Sequence, residues 1–216
     1  MEALSRWVET GYQSLGSRLE GSTNNCSWRF WARGAKKDAI LCGLLKSSSD
    51  KIGRAYPFLL IGTGPIDGFE SHWDLVPFAC EKTWREMEYV AAKRLADFAE
   101  LERQIGAFRP PVGDWGALNR DREAAREVDY SGADRDVAAI GGKETVMIPL
   151  SDMRGRDIYT LAGLWHLWLK ENGGRPPHAV FIGGSVDKAS LAVFRRALTP
   201  DDFAKLWTQS NKETML

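Results

Sequence analysis

Six short apolar runs, each bounded by polar or turn-forming residues, constrain the fold of this chain more than any other feature. Each of the first three is too short for a stable helix, and two of them contain Gly or Pro. Buried strands are therefore favoured over helices. The six predicted strands are residues 27–32, 39–45, 55–61, 145–149, 179–182 and 191–194.

Amphipathic helices are predicted around these strands. Residues 2–20 are apolar at three- and four-residue steps, 77–105 carry the longest apolar stripe, and 157–171 are rich in Leu and Trp. A last helix is predicted to start with Thr199 at the N-cap and Pro200 at the first helical position. Interleaved strands and helices predict a layered α/β domain around a mixed sheet.

The length of 216 residues fits one domain, so we expect residues 1–216 to form a single unit. Residues 106–145 lose the periodic pattern, beginning at Pro110-Pro111 and continuing through a highly charged stretch. We expect this segment to be an exposed or mobile excursion with a helical turn or two.

Charge and cysteine content exclude several classes of protein. Lys plus Arg and Asp plus Glu are equal at 29 each, so net charge gives no reason to expect nucleic-acid or anionic-membrane binding. Cys26, Cys42 and Cys80 are widely spaced and odd in number, which favours small buried hydrophobes over disulfides or a thiolate metal site. No signal peptide and no apolar run of roughly 20 residues are present, so we expect a cytoplasmic protein without membrane insertion.

Two glycine-containing loops are candidates for phosphate-binding sites. The stretch SSSDKIGRAYPF, residues 47–58, lacks the Lys-Ser/Thr pair of a phosphate loop and precedes a strand rather than a helix. The stretch IGTGPIDG, residues 61–68, lacks the full G-x-G-x-x-G pattern, and its proline suits a turn. Neither loop predicts nucleotide binding.

Catalytic and metal-binding patterns are also missing from the sequence. There is no G-x-S-x-G turn, and His72, His166 and His178 lack metal-ligand spacing. His166 lies in a Leu/Trp-rich helix, where we expect a packed or surface histidine. The acidic residues at 121–136 are interpreted as a solvated segment, because a cation site needs several oxygens on one rigid loop. We expect no catalytic residues, metal or cofactor.

Several motifs together resemble the TagF (ImpM) family of proteins associated with bacterial type VI secretion. The family pattern has a tryptophan in the first helix, a W-R-F strand, a small-residue apolar strand and a Ser-x-Asp-x-x-Gly-Arg-x-x-Pro-Leu segment. The matching residues here are Trp7, Trp28-Arg29-Phe30, residues 41–45 (LCGLL), Ser48, Asp50, Gly53, Arg54 and Pro57-Phe58. Residues 179–207 match the strand, turn, strand and helix with which the family ends.

The chain departs from the family pattern in three places. No Gly-Phe-Tyr-Gly-Lys-Leu-Pro stretch precedes Trp7, and Val180-Phe181 stand where the family has a tryptophan pair. Residues 106–145 have no counterpart in the pattern. The resemblance is therefore to a divergent member.

The resemblance implies a three-layer α/β/α domain and a cytoplasmic accessory protein that is not an enzyme. It further implies a post-translational repressor of type VI secretion, which binds a forkhead-associated-domain scaffold protein of the threonine-phosphorylation pathway. Two alternatives stay open at this point. One is a small-molecule or nucleotide-binding enzyme that uses the Asp50/Arg54 corner, and the other is a structural subunit of the secretion apparatus.

The signature residues are expected to be structural or to bind the partner. We expect Asp50 to cap loop N–H groups or to pair with Arg54, and Pro57 to lie at a strand start or bulge. Trp73 and Trp115, which fall in predicted loops, are candidates for a protein interface because tryptophan is enriched in interface hot spots.

Overall fold

The computed structural model describes residues 2–16, 25–49, 52, 55–93, 97–126, 143–150, 158–173, 175–185 and 188–208. Its six strands are β1 (Cys26–Arg33), β2 (Ala39–Ser49), β3 (Ala55–Pro65), β4 (Thr145–Pro149), β5 (Ala179–Ser185) and β6 (Ala189–Phe194). They form one sheet in the order β3-β2-β1-β5-β6-β4. All six predicted strands are confirmed.

The sheet is antiparallel in all five strand pairings, which corrects the prediction of a mixed sheet. Three of these pairings, β1–β2, β2–β3 and β5–β6, join strands that are consecutive in the chain. A short connection between neighbouring strands reverses the chain direction, whereas a parallel pair needs a long crossover.

The helices are α1 (Glu2–Leu15), α2 (Val76–Ala91), α3 (Phe98–Gly106), α4 (Trp115–Arg126), α5 (Ile158–Gly173) and α6 (Pro200–Thr208). A short helical turn, Trp73–Leu75, precedes α2. The predicted cap of α6 is confirmed, since Pro200 opens the helix. The Thr199 backbone N–H and hydroxyl both donate to Oδ2 of Asp202 at 2.8 Å, which is one half of a capping box.

Helices cover both faces of the sheet, so the three-layer α/β/α prediction is confirmed. We call the face packed against α1 and α6 the terminal-helix face and the face packed against α2 and α5 the central-helix face. In β1, Trp28 and Phe30 lie on the terminal-helix face, whereas Arg29 and Trp31 lie on the central-helix face. Because residues on both sides of the strands are buried, the strands read as continuous apolar runs.

The single helix predicted over residues 77–105 is wrong, because two helices occupy this stretch. The first helix, α2, ends at Ala91, and α3 begins after Asp97. The Asp97 side chain accepts a hydrogen bond from the Glu100 backbone N–H at 2.8 Å, as an N-cap does. Phe98, which the predicted stripe placed in the core, is 70% exposed.

The first half of the expected excursion at 106–145 contains more helix than the helical turn or two predicted. Phe108 packs against the core of the central-helix face, and α4 forms over Trp115–Arg126. Arg122 of α4 is buried because it pairs with the carboxylate of Asp74, a partner distant in sequence that local periodicity cannot reveal. Residues 127–142 lie outside the described residues.

Candidate functional site

Arg29, the middle residue of the W-R-F signature, is buried under α2. Its Nε and Nη2 each donate to a carboxylate oxygen of Glu88 at 2.7 Å, and its Nη1 donates to Glu81 at 2.7 Å. The Tyr159 ring lies 3.5 Å from the guanidinium carbon. Burial by itself lowers the pKa of Arg29, but the hydrogen bond to Glu88 and the neighbouring carboxylates raise it overall. This guanidinium ties β1 to α2 and α5, and three of its five N–H donors bond to the two glutamates.

The flanking signature residues, Trp28 and Phe30, are completely buried on the terminal-helix face. Phe30 stands opposite Gly43 of the LCGLL motif. A Cβ at Gly43 would lie 2.4 Å from Cζ of Phe30 and 2.2 Å from the Leu60 carbonyl oxygen. The W-R-F and LCGLL motifs therefore pack against each other, because Gly43 leaves room for the Phe30 ring. Their role is structural.

The second half of the signature lies at the end of the β2–β3 hairpin. Ser48 pairs with Tyr56, and Pro57 is the third residue of β3, which confirms its predicted place near a strand start. We call Ser47–Ser49, Ile52 and Ala55–Pro57 the hairpin tip. Asp50, Gly53 and Arg54 lie outside the described residues, so the contacts predicted for them stay predictions.

The hairpin tip projects from the sheet. Pairing between β1 and β2 extends along β2 only to Lys46, so the last residues of β2 continue past β1. Ile52 is 76% exposed and Tyr56 is 42% exposed. The Tyr12 hydroxyl of α1 donates to the Ala55 carbonyl oxygen beside the hairpin turn, so α1 contacts the tip on the terminal-helix face.

The two tryptophans proposed for an interface occupy different environments. Trp73 is 1% exposed and lies in the helical turn before α2, so it is a core residue and not the exposed loop tryptophan expected. Trp115 is half-buried at the start of α4, stacks on His72, and donates from Nε1 to the Asp67 carbonyl oxygen at 2.8 Å. The sequence reveals neither arrangement, because both segments lack periodicity.

A cluster of buried polar groups joins the helical turn to α4 and α5. Asp74 accepts hydrogen bonds from Lys170 at 2.5 Å and from Arg122. His166 accepts from Trp31 Nε1 at 3.2 Å, and its Nδ1 lies 2.6 Å from the Ala162 carbonyl oxygen. Burial lowers the pKa of His166 to about 4, which keeps the ring neutral at pH 7. His166 is thus a packed histidine, as expected, with both ring nitrogens engaged.

The remaining motifs have structural positions. Gly62 and Gly64 of the IGTGPIDG stretch lie within β3, so this segment is a strand and not a phosphate-binding turn. All three cysteines are buried and free, which confirms their predicted role. Among the described residues, no group of His, Cys, Asp or Glu is arranged to hold a metal ion. No helix in this part of the chain has the length and apolar character needed to cross a membrane.

Sequence reasoning missed the partners of Arg29. Glu81 and Glu88 are seven residues apart, two turns of α2, and therefore lie on one face of the helix. An arginine inside an apolar strand is the signal that predicts such a pair, because a buried guanidinium needs carboxylate partners. The sequence alone does not say which acidic residues supply them.

The chain is similar to known proteins in both sequence and fold. The model of the TagF N-terminal domain, described as type VI secretion system-associated, matches residues 1–107. The crystal structure of PA0076 from Pseudomonas aeruginosa PAO1 has a similar fold, with a TM-score of 0.52 and 16% sequence identity over 95% of this chain and 83% of that one. No curated protein sequence matches the chain.

Proposed function

The chain belongs to the TagF family of type VI secretion-associated proteins, and on that premise we propose that it is a non-enzymatic regulator of type VI secretion. It acts in the cytoplasm as a post-translational repressor. Its partner is a forkhead-associated-domain scaffold protein, which it binds and holds out of the assembling secretion machine.

The observation that carries this proposal is the projecting hairpin tip. The tip presents an aromatic side chain, Tyr56, and an aliphatic one, Ile52, beyond the end of β1. Exposed aromatic groups on a projecting element favour a protein contact, since tyrosine is enriched in interface hot spots. The tip also holds Ser48 and Pro57 of the family signature.

The use of buried charges supports a non-enzymatic role. Arg29 is paired with two glutamates, and Asp74 is neutralised by Arg122 and Lys170. Catalysis requires titratable groups that remain available to a substrate in a cleft. In these clusters the charged groups instead hydrogen-bond to one another across secondary-structure elements.

Binding of the purified chain to the purified scaffold tests the proposal. We expect calorimetry to show a one-to-one complex. A scaffold that lacks its forkhead-associated domain is the matched control, and it tests whether that domain is the one bound. In cells, removal of the chain should increase secretion, and its return should decrease it. Absence of any complex with the scaffold at micromolar concentrations contradicts the proposed partner.

A further inference from the structure

A cavity of about 210 Å³ lies on the central-helix face beside the edge strand β3. Its floor is the second half of β3, one wall is formed by α2, and the opposite wall is the segment that follows α3. Residues from these three elements that line it include Leu60, Gly62, Gly64, Met87, Phe108 and Pro110. The IGTGPIDG motif, which binds no phosphate here, forms most of the floor.

The cavity exists because β3 stops supplying side chains on this face. Phe58 and Leu60 pack against the core of the central-helix face, but the next two residues on the same face are Gly62 and Gly64. A Cβ at Gly62 would stand 3.6 Å from Cε of Met87, in ordinary contact, and a Cβ at Gly64 would meet no atom within 4 Å. The strand therefore leaves space for side chains that the chain itself does not provide.

The floor of the cavity is also a sheet edge. Among the described residues, β3 is the last strand in the sheet order and pairs only with β2. Along β3, the Tyr12 hydroxyl bond to Ala55 lies at the hairpin end, far from the glycines. An edge strand offers backbone N–H and C=O groups that an extended peptide can pair with. Residues of an added strand that stand opposite Gly62 and Gly64 would point their side chains over the cavity.

The volume and lining of the cavity define the group it accepts. Cofactor and drug-sized ligands occupy pockets of roughly 300–1,000 Å³, whereas an apolar cavity of about 150 Å³ accommodates benzene. The Thr83 hydroxyl at the rim already donates to the Arg109 carbonyl oxygen at 2.7 Å. The walls are otherwise dominated by apolar side chains and proline. One large apolar side chain fits this space, and a nucleotide does not.

We propose that β3 and this cavity bind an extended peptide segment of a partner protein, which pairs with the β3 edge and inserts one Phe- or Leu-sized side chain. The site is separate from the hairpin tip, because Gly64 and Tyr56 are eight residues apart on one strand, roughly 26 Å. It does not depend on the identity of the scaffold that binds the tip.

Methyl NMR with a defined peptide tests the proposal in the full chain. The probe is an acetylated, amidated Thr-Phe-Thr-Phe-Thr-Phe-Thr peptide, and its matched control has Ala in place of Phe. We expect the probe to shift the Met87 methyl resonance, while Met147, which packs on the terminal-helix face, serves as an internal reference and stays unchanged. The Ala peptide should bind at least about tenfold more weakly, because it buries less apolar surface.

Two variants separate strand pairing from cavity filling. Backbone N-methylation of the Phe peptide at alternate residues removes its donors to β3 and should abolish binding. Gly64→Leu fills the cavity from the floor and should weaken binding of the unmodified peptide at least about tenfold, with melting temperature as the folding control. If Gly64→Leu fails to fold, binding of the N-methylated peptide to the unsubstituted chain tests the proposal.

Three results overturn the proposal. They are no Met87 shift with the Phe peptide, equal binding by the N-methylated peptide, and binding of toluene that the Phe peptide does not displace. The last result would assign the cavity to a small apolar molecule instead of a peptide.

Discussion

The two halves of the family signature occupy opposite environments, although they lie within thirty residues of each other in the sequence. Trp28 and Phe30 are completely buried in the middle of the sheet, whereas Ile52 and Tyr56, which occupy variable positions within the second half, are 76% and 42% exposed at the end of a hairpin. A single sequence signature therefore combines a segment that holds the fold together with a segment that is presented to solvent.

The buried half connects all three layers of the domain. Trp28 and Phe30 pack toward α1 and α6, and Arg29 pairs with α2 on the other face. A substitution in this strand changes contacts on both faces of the sheet. In the hairpin tip Ile52 and Tyr56 are exposed, so substitutions of these side chains should affect binding more than stability. The predictions below test this contrast from the largest expected effect to the smallest.

Replacement of Arg29 should have the largest effect on stability. Arg29→Met removes the buried cation shared by Glu81 and Glu88, whose side chains are 23% and 35% exposed, and we expect the free energy of unfolding to fall by about 3 kcal/mol. Urea denaturation measures the loss. Arg33→Met is the matched control, because Arg33 lies in the same strand but pairs with Glu70 at an exposed position and should cost under about 1 kcal/mol. Similar losses in the two variants would contradict the structural role of Arg29.

Acid should lower the free energy of unfolding through His166, a buried residue that accepts a hydrogen bond from Trp31 of β1. The unfolded chain takes up a proton near the ordinary histidine pKa of 6.5, but the folded chain does so only at about 4. The unfolded state therefore binds more protons between these values, and stability falls as the pH decreases from 6.5 to 4. The shift corresponds to about 3 kcal/mol.

Denaturation curves at a series of pH values measure this contribution. His166→Gln keeps a hydrogen-bond acceptor for Trp31 but does not titrate, so it should lose most of the decrease between pH 6.5 and 5. An unchanged pH dependence in this variant would assign the effect to other groups. The hairpin-tip variant Tyr56→Ala should keep the wild-type pH dependence.

Gly→Ala substitutions in β2 and β3 add a single methyl group at a closely packed position and at an open one. Gly43→Ala places a Cβ against the Phe30 ring and the Leu60 carbonyl, and we expect a loss of about 1–3 kcal/mol by urea denaturation. Gly64→Ala meets no atom within 4 Å and should change stability by about 0.5 kcal/mol or less. A larger loss for Gly64→Ala would show that the floor of the cavity is more closely packed than this account requires.

The sequence predicts the strands well because both faces of the sheet are covered, which makes each strand an apolar run. It fails at α2 and α3, where the apolar stripe continues through Asp97 although the side chain of that residue caps a new helix. It also fails for Trp73, because a short helical turn produces no periodic pattern.

The candidate site is less predictable than the fold, because it depends on strand register. The sequence places Ser48 and Pro57 near a turn, but it does not indicate that β1 stops pairing at Lys46 and leaves the hairpin tip projecting. Likewise, the glycines at 62 and 64 are visible in the sequence, whereas the cavity depends on which strand lies at the sheet edge. Both features follow from pairings between distant residues.

The division of the signature is tested most directly by Tyr56→Ala, measured for both scaffold affinity and free energy of unfolding. Tyr89→Ala is the matched control, because Tyr89 is 65% exposed but belongs to α2 and not to the hairpin. We predict that Tyr56→Ala weakens scaffold binding by about tenfold or more while the free energy of unfolding stays within about 1 kcal/mol of wild type, and that Tyr89→Ala changes neither. Unchanged affinity in Tyr56→Ala, or a loss of affinity that only parallels a loss of stability, would contradict the assignment of the hairpin tip to partner binding.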